Sequence, residues 1–451
     1  MIETEGRRAI VLGYGRSGRA AASYLKRHGT SVVVVDRADT PELRSAVERD
    51  GLASWLGQRA DPTLDDLDFL VVSPGVAWDA PLVEAARQRG IEVTSEIDLF
   101  FDLCPCPIAG ITGTNGKTTT TALTAEVLRA GGLQVIRGGN IGEPVLDRLE
   151  QLRPDQWVVL ELSSFQLESI RHPRLRIGAV LNITPDHLDR HKTMEHYREL
   201  KARAVVFMGP EDHAILNFDD PSCAAMAKQT RGTVLPFALR AKIDGGIQVK
   251  NGSIYWEREG RLEPVLAVAE VPLPGAHNLS NVMAAVGAGL AAGVAGERVA
   301  EAVRAFKAVE HRLELIDSFG GVRWYNDSKA TNPDSTYKAL DAFNESIVLI
   351  AGGRNKGIDL EPLARRIAER VAGLVTIGET GEELARLARA AGLQRVTRAG
   401  DLAEAVREAA SMAGPGSVVL LSPAFTSFDM FSDYEDRGRQ FKATVQRELG
   451  R

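Results

Sequence analysis

Short apolar runs alternate with segments of helical period, and this divides the chain into three α/β regions. In the first, residues 8–12 and 31–35 are apolar runs of strand length, and residues 16–27 between them carry a helical pattern. Residues 69–73 add a strand, Pro74-Gly75 a turn, and residues 81–89 a helix. Such alternation predicts a parallel, Rossmann-like sheet. The Cys-Pro-Cys-Pro stretch at 104–107 punctuates the chain and leads into a new strand–helix start.

The second region opens with a strand at 107–112, a Gly/Thr loop and a helix to about residue 130. Strand-like runs follow at 157–162, 177–183 and 214–217. Residues 248–256 place Asn251-Gly252 between extended runs, the strongest short hairpin signal. An antiparallel patch on a parallel core is therefore expected, closed by helices at 278–292 and 297–306. The third region begins near Glu310, with a hairpin (313–317 and 322–325) and strands at 347–351, 374–377 and 418–421. The expected domains are 1–96, 97–309 and 310–451.

Composition narrows the class. A chain of 451 residues exceeds one ordinary domain, and 44% hydrophobic with 25% charged residues is the balance of a soluble globular protein. The net charge of −6 gives no global basic field, so neither nucleic acid nor an anionic membrane is an expected partner. Anionic ligands would have to be held locally, by helix N-termini, single cations and metals. The N-terminus has no signal-peptide pattern, and no apolar stretch approaches the roughly 20 residues that span a bilayer. Three cysteines cannot build a disulfide framework. A cytoplasmic monomer with reduced thiols is expected, without membrane insertion.

Two glycine-rich loops carry candidate chemistry. Gly110-Ile111-Thr112-Gly113-Thr114-Asn115-Gly116-Lys117-Thr118-Thr119 joins a strand to a helix. In such a loop backbone N–H groups converge on phosphate oxygens at a helix N-terminus. Lys117 would neutralise the β/γ-phosphates and the Thr118 hydroxyl would coordinate Mg²⁺. Ile111 stands where the full P-loop pattern requires its first glycine. Gly13-Tyr14-Gly15-Arg16-Ser17-Gly18 fits G-x-G-x-x-G, with Asp36 ending the next strand where a ribose-binding acid belongs. Alone, that second loop would favour an NAD-dependent dehydrogenase. Its physical content is only that a diphosphate sits at a helix N-terminus, and UDP-sugars carry one too.

Gly113-Thr114-Asn115-Gly116-Lys117-Thr118 resembles the ATP loop of the Mur ligase family, which also includes folylpolyglutamate synthases. Several further runs resemble the family's D-glutamate-adding member. They are Gly138-Gly139-Asn140-Ile141-Gly142, Glu161 to Glu168 (Glu-Leu-Ser-Ser-Phe-Gln-Leu-Glu), Asn182-Ile183-Thr184-Pro185-Asp186-His187, Gly275-Ala276-His277-Asn278, His311-Arg312 and Asn326 to Asn332. The resemblance implies a Rossmann-like N-terminal domain, a central P-loop-like ATPase domain with a mainly parallel sheet, and a Rossmann-like C-terminal domain. It implies ATP and Mg²⁺ as cofactors, with UDP-N-acetylmuramoyl-L-alanine and D-glutamate as substrates.

The resemblance also distributes roles. Gly113, Thr114, Asn115, Gly116, Lys117, Thr118 and Thr119 serve ATP, with Glu161 a further metal ligand. His187 is implied as ligand of a second Mg²⁺, although imidazole is a poor match for a hard cation. Lys201 is the lysine the family carbamylates, turning an ammonium into a metal-bridging anion. An unperturbed lysine is neutral only about once in a few thousand at neutral pH, so burial would first have to favour the free amine. Asn278, His311, Arg312, Asp327 and Lys329 stand at adenine, ribose and phosphate positions. Thr331, Lys356, Ser427 and Tyr434 stand at the D-glutamate site. Gly15, Ser17, Asp36, Ser73, Pro74, Gly75 and Asn140 lie along the UDP-substrate. Arg16 and Arg37 are not assigned a uracil contact.

Overall fold

The computed structural model describes residues 4–57, 63–140, 142–355 and 357–450. They build three sheets within two compact units, one formed by residues 1–268 and 280–303 and the other by 269–279 and 304–451. The chain is α/β throughout, as the apolar pattern predicts.

The first sheet joins β1 (Arg8–Leu12), β2 (Ser31–Asp36), β3 (Ala53–Leu56), β4 (Phe69–Val72) and β5 (Glu92–Thr94), all parallel, in the order β3-β2-β1-β4-β5. The order reverses between β1 and β4, and the mouth of a doubly wound sheet opens at such a point, beyond the strands' C-terminal ends. The Arg16–Arg27 helix follows β1 and lays Ala20, Ala21, Ala22 and Leu25 inward, small residues that let it approach the sheet closely.

The second sheet holds β6 (Ile108–Thr112), β7 (Val135–Gly139), β8 (Trp157–Glu161), β9 (Ile177–Val180), β10 (His213–Asn217), β11 (Thr233–Ala238), β12 (Gly246–Lys250), β13 (Ser253–Arg258) and β14 (Arg261–Ala267). Their order is β14-β13-β12-β11-β10-β9-β6-β8-β7. From β7 to β12 the pairs are parallel; β12, β13 and β14 form the antiparallel patch, turning through Asn251 (φ 47°) and Gly252 (φ 74°). β6 and β9 are buried along their whole length, as strands covered by helices on both faces must be.

In the second unit, β15 (Glu314–Phe319), β16 (Val322–Asn326), β17 (Ile347–Gly352), β18 (Gly373–Ile377), β19 (Val396–Arg398) and β20 (Val418–Leu421) run in the order β15-β16-β20-β17-β18-β19. The β15–β16 hairpin is antiparallel and the rest parallel.

One arginine ties the first two sheets together. Arg171 donates from Nε to Asp98 Oδ2 (2.7 Å) and from its backbone N–H to Asp98 Oδ1 (2.9 Å); the guanidinium also reaches Asp102 (2.8 Å) and Glu92. Glu92 begins β5, while Asp98 and Asp102 lie on the Glu96–Leu103 helix that links the two sheets. Asp98 is only 1% exposed, so Arg171 and the Thr94 hydroxyl (2.8 Å) supply the hydrogen bonds that water cannot. Arg171→Ala should destabilise the first unit by about 2–4 kcal/mol, because it strands a buried carboxylate. Chemical denaturation followed by tryptophan fluorescence measures this, and a loss under about 1 kcal/mol would show that water replaces the arginine.

Candidate active site

β6 ends at Thr112, and the chain turns through Gly113 into the helix Lys117–Ala130. Gly116 caps that helix with φ 86°, and a Cβ there would lie 2.1 Å from Asn281 Oδ1, so only glycine fits. The loop is held open from the β9 side. Asn182 accepts from the Asn115 backbone N–H through Oδ1 (2.9 Å) and returns a bond to the Asn115 carbonyl (3.0 Å). Its own carbonyl accepts from Thr114 N–H (2.9 Å). The Lys117 ammonium turns onto the carbonyls of Gly113 (2.9 Å) and Thr114 (2.8 Å). Thr119, on the first turn of the helix, is buried.

Behind the loop two polar chains converge. Thr118 donates its hydroxyl to Glu161 Oε2 (2.8 Å), and Asn140 donates its amide to Glu161 Oε1 (3.0 Å). Glu161, at the end of β8, is 2% exposed, and these neutral donors orient both carboxylate oxygens. Lys201, in the Met194–Val206 helix, is 1% exposed and donates to Thr112 Oγ1 and to the Gly113 carbonyl (both 3.0 Å). Burial pushes its amine well below the ordinary lysine range; the Lys117 ammonium lowers it further, and Asp186 and Glu161 oppose the shift. The shift is in the direction that favours the free amine.

His187 is half exposed, in the left-handed region (φ 52°), 3.6 Å from Asp186 and packed against the Phe165 ring at 5.1 Å. A buried neighbour that the sequence pattern does not reveal, His191, packs on Phe165 as well. Its place in a polar Asp-Arg-His run gives no periodic signal. Asn281, which closes against Gly116, is equally silent in the sequence.

A cavity of about 1440 Å³ opens beyond β1, β2 and β4. Gly15, Arg16, Ser17, Asp36, Arg37, Ser73, Pro74 and Gly75 all line it. Gly18 allows the first helix turn to close on the loop, since a Cβ there would lie 1.9 Å from the Gly13 carbonyl oxygen. Asp36 accepts from Tyr14 N–H (2.7 Å) and Ala38 N–H (2.9 Å), one bond to each oxygen. It therefore fixes the loop's shape besides facing the cavity. Ser73 donates its hydroxyl to the Gly13 carbonyl (2.7 Å).

In the second unit Asp327 follows β16 and accepts from Ser422 Oγ (2.8 Å) and Leu313 N–H (3.2 Å). Burial raises its carboxyl to about 7, against the Ser422 bond and the nearby Arg312. His311 shares a hydrogen bond with Asn326 (2.9 Å), and the Lys329 ammonium sits 5.5 Å above the Tyr434 ring. The Tyr434 hydroxyl donates to Glu435 (3.0 Å) and is pushed up to about 12, first by burial. Thr331 N–H donates to the Lys329 carbonyl (2.9 Å), and Asn278 donates its amide to the Pro274 carbonyl (2.7 Å). Arg437, fully buried and absent from the sequence reading, bonds to Ser328 Oγ (2.9 Å), the Ser328 carbonyl (2.8 Å) and the Phe425 carbonyl (3.2 Å). It joins the segment bearing Lys329 to the loop bearing Ser427, which is itself buried. Lys356 lies outside the described residues.

Three family descriptions match in series: "Mur ligase MurD-like, N-terminal domain" over residues 7–95, "Mur ligase middle domain" over 111–289, and "Mur ligase, glutamate ligase domain" over 311–425. A UDP-N-acetylmuramoylalanine--D-glutamate ligase of Pelotomaculum thermopropionicum is 44% identical over 443 residues, covering 97% of each chain. Its counterpart in Koribacter versatilis is 42% identical over 99% of this chain and 98% of its own. The fold is similar to that of the MurF ligase of Thermotoga maritima in complex with ADP (TM-score 0.61, 16% identity, 99% of this chain and 95% of that one). It is also similar to the UDP-N-acetylmuramate-alanine ligase of the same organism (TM-score 0.58, 19% identity, 98% and 99%). With matches running through all three sheets and relatives this similar over nearly their whole length, the chain belongs to the Mur ligase family.

Proposed function

We infer that this chain is an ATP-dependent ligase that joins D-glutamate to UDP-N-acetylmuramoyl-L-alanine. The observation that carries the reading is the convergence of Lys117, Thr118, Glu161 and the buried Lys201 side chain on one glycine-rich loop. The full-length relatives named for that reaction support the choice of substrates. Residues 1–96 take the UDP-substrate, 97–309 take ATP, and 310–451 take D-glutamate and part of ATP.

A carboxylate does not condense with an amine in water unless it is activated. The alanyl carboxylate attacks the γ-phosphorus of ATP, ADP leaves, and an acyl phosphate forms. The D-glutamate amine then attacks the acyl carbon, loses a proton and expels phosphate. Both steps crowd negative charge, which Lys117, the loop N–H groups and the Lys117–Ala130 helix N-terminus are placed to offset.

The Thr118 hydroxyl and Glu161 carboxylate are hard oxygen donors already brought together, and they suit Mg²⁺. His187 would add an imidazole, and Lys201 an oxygen once its amine has added CO₂ and released a proton to solvent. Mg²⁺ held there would draw charge from the transferring phosphoryl oxygens. Gly15, Ser17, Asp36, Ser73, Pro74, Gly75 and Asn140 hold the UDP-substrate. Asn278, His311, Arg312, Asp327 and Lys329 serve the nucleotide, and Thr331, Lys356, Ser427 and Tyr434 the amino acid. Cytoplasmic location and a monomeric state belong to the same proposal; no helix among the described residues is long and apolar enough to cross a membrane.

ADP release with UDP-N-acetylmuramoyl-L-alanine, measured against a panel of amino acids, tests the reading. D-glutamate should stimulate release far above L-glutamate or L-alanine, and the absence of stimulation, or preference for another amino acid, would overturn it. Lys117→Ala should lower turnover by about 10²–10³-fold or more. Binding of the UDP-substrate, measured by calorimetry, should persist; near-normal turnover would remove Lys117 from the phosphate site. Lys201→Ala should be nearly inactive and partly restored by acetate, whose carboxylate replaces the missing anion. Full activity without acetate would reduce Lys201 to a packing residue.

A further inference from the structure

Between Thr193 and the end of β9, His187 sits at the head of a four-residue helix, Leu188–His191. Both flanking residues adopt left-handed conformations that L side chains disfavour, His187 at φ 52° and Lys192 at φ 68°. So short a helix, bounded by strained residues, does not hold its shape by local propensity. Contacts with other elements must supply it.

Two such contacts come from successive side chains, and both reach the helix Ser164–Ser169 that follows Glu161. Arg190 donates to Glu168 (2.9 Å), while His191 Nε2 shares a 2.9 Å hydrogen bond with Ser164 Oγ. Among the described side chains of the short helix only His191 is buried, at 1% exposure. Its ring stacks on Phe165 (5.1 Å, 28° between planes) and lies 5.4 Å from Tyr197. Phe165 packs His187 too, at 5.1 Å. Tyr197 meets the phosphate loop through Thr114 (3.2 Å), and its ring lies 5.3 Å from Lys201 Nζ. His191 Nδ1 is buried without a hydrogen-bond partner.

We propose that His191 is a positioning residue, which locks the turn bearing His187 against the Ser164–Ser169 helix and the Lys201 helix through Ser164, Phe165 and Tyr197. The proposal rests on the functional reading above for its kinetic consequence, but its structural content stands apart from it.

His191→Phe keeps a flat ring between Phe165 and Tyr197 and removes the bond to Ser164, together with the unpartnered nitrogen. Ser164→Ala removes the same bond from the other side. Side-chain ¹H–¹⁵N NMR of histidine-labelled full-length protein reads the effect without turnover. Both variants should shift and broaden the His187 ring signals while those of His28, His172 and His213 stay in place. In the ligase assay kcat should fall about ten- to a hundred-fold, with KM for the UDP-substrate unchanged. The double variant should be no worse than the worse single one, as for two ends of one contact.

A His187 signal unchanged in both variants would overturn the proposal. So would a loss of kcat that follows a lowered Tm and disappears on cooling, because His191 would then be packing alone. A wild-type protein without ligase activity would sink the proposed function instead, leaving the NMR comparison to decide this inference.

Discussion

An amine sealed behind the phosphate loop is the constraint on which the rest of this active site depends. At 1% exposure, Lys201 cannot keep its proton cheaply, because an ammonium out of water needs a close anion, and its hydrogen bonds go to a hydroxyl and a carbonyl. Those bonds set requirements on their neighbours. Thr112, which accepts from Lys201, donates its own hydroxyl to the Leu162 carbonyl at 2.7 Å. The polar chain thus crosses from the Lys201 helix over β6 to the residue after Glu161. Position, protonation and loop shape are one problem solved together.

The parallel order of the central sheet makes that solution possible. β6, β8 and β9 are neighbours and end on the same side, so the residues following them meet although they are far apart in sequence. The first gives the loop at Gly113, the second Glu161, the third Asn182 and, further on, His187. Neutral donors place both Glu161 carboxylate oxygens. Asn182 does for the loop backbone what Asn140 and Thr118 do for Glu161.

Interior strands were legible in the sequence because burial on both faces writes them as continuous apolar runs. Most of the strands the pattern missed lie at sheet edges. β3 (Ala-Ser-Trp-Leu) is largely exposed, β5 and β19 have three residues each, and β7 ends in two glycines. β11 is interior but contains Pro236, which weakens any strand pattern. At the site, the turn from β6 through Gly113 into the Lys117–Ala130 helix was legible because its signal is local in sequence, ten consecutive residues. His191 and Arg437 were not, since what they do depends on partners far along the chain: Ser164, 27 residues away, and Ser328, 109 away. The place of Asp36 at the end of β2 was legible, but its two backbone bonds were not.

The proposed function requires the buried Lys201 amine to be free to take up carbon dioxide. Carbon-13 NMR of the protein equilibrated with ¹³C-labelled bicarbonate measures this directly. A single protein-bound carbamate signal in the wild type, absent from Lys201→Ala, is the predicted result; an active enzyme with no such signal would contradict it.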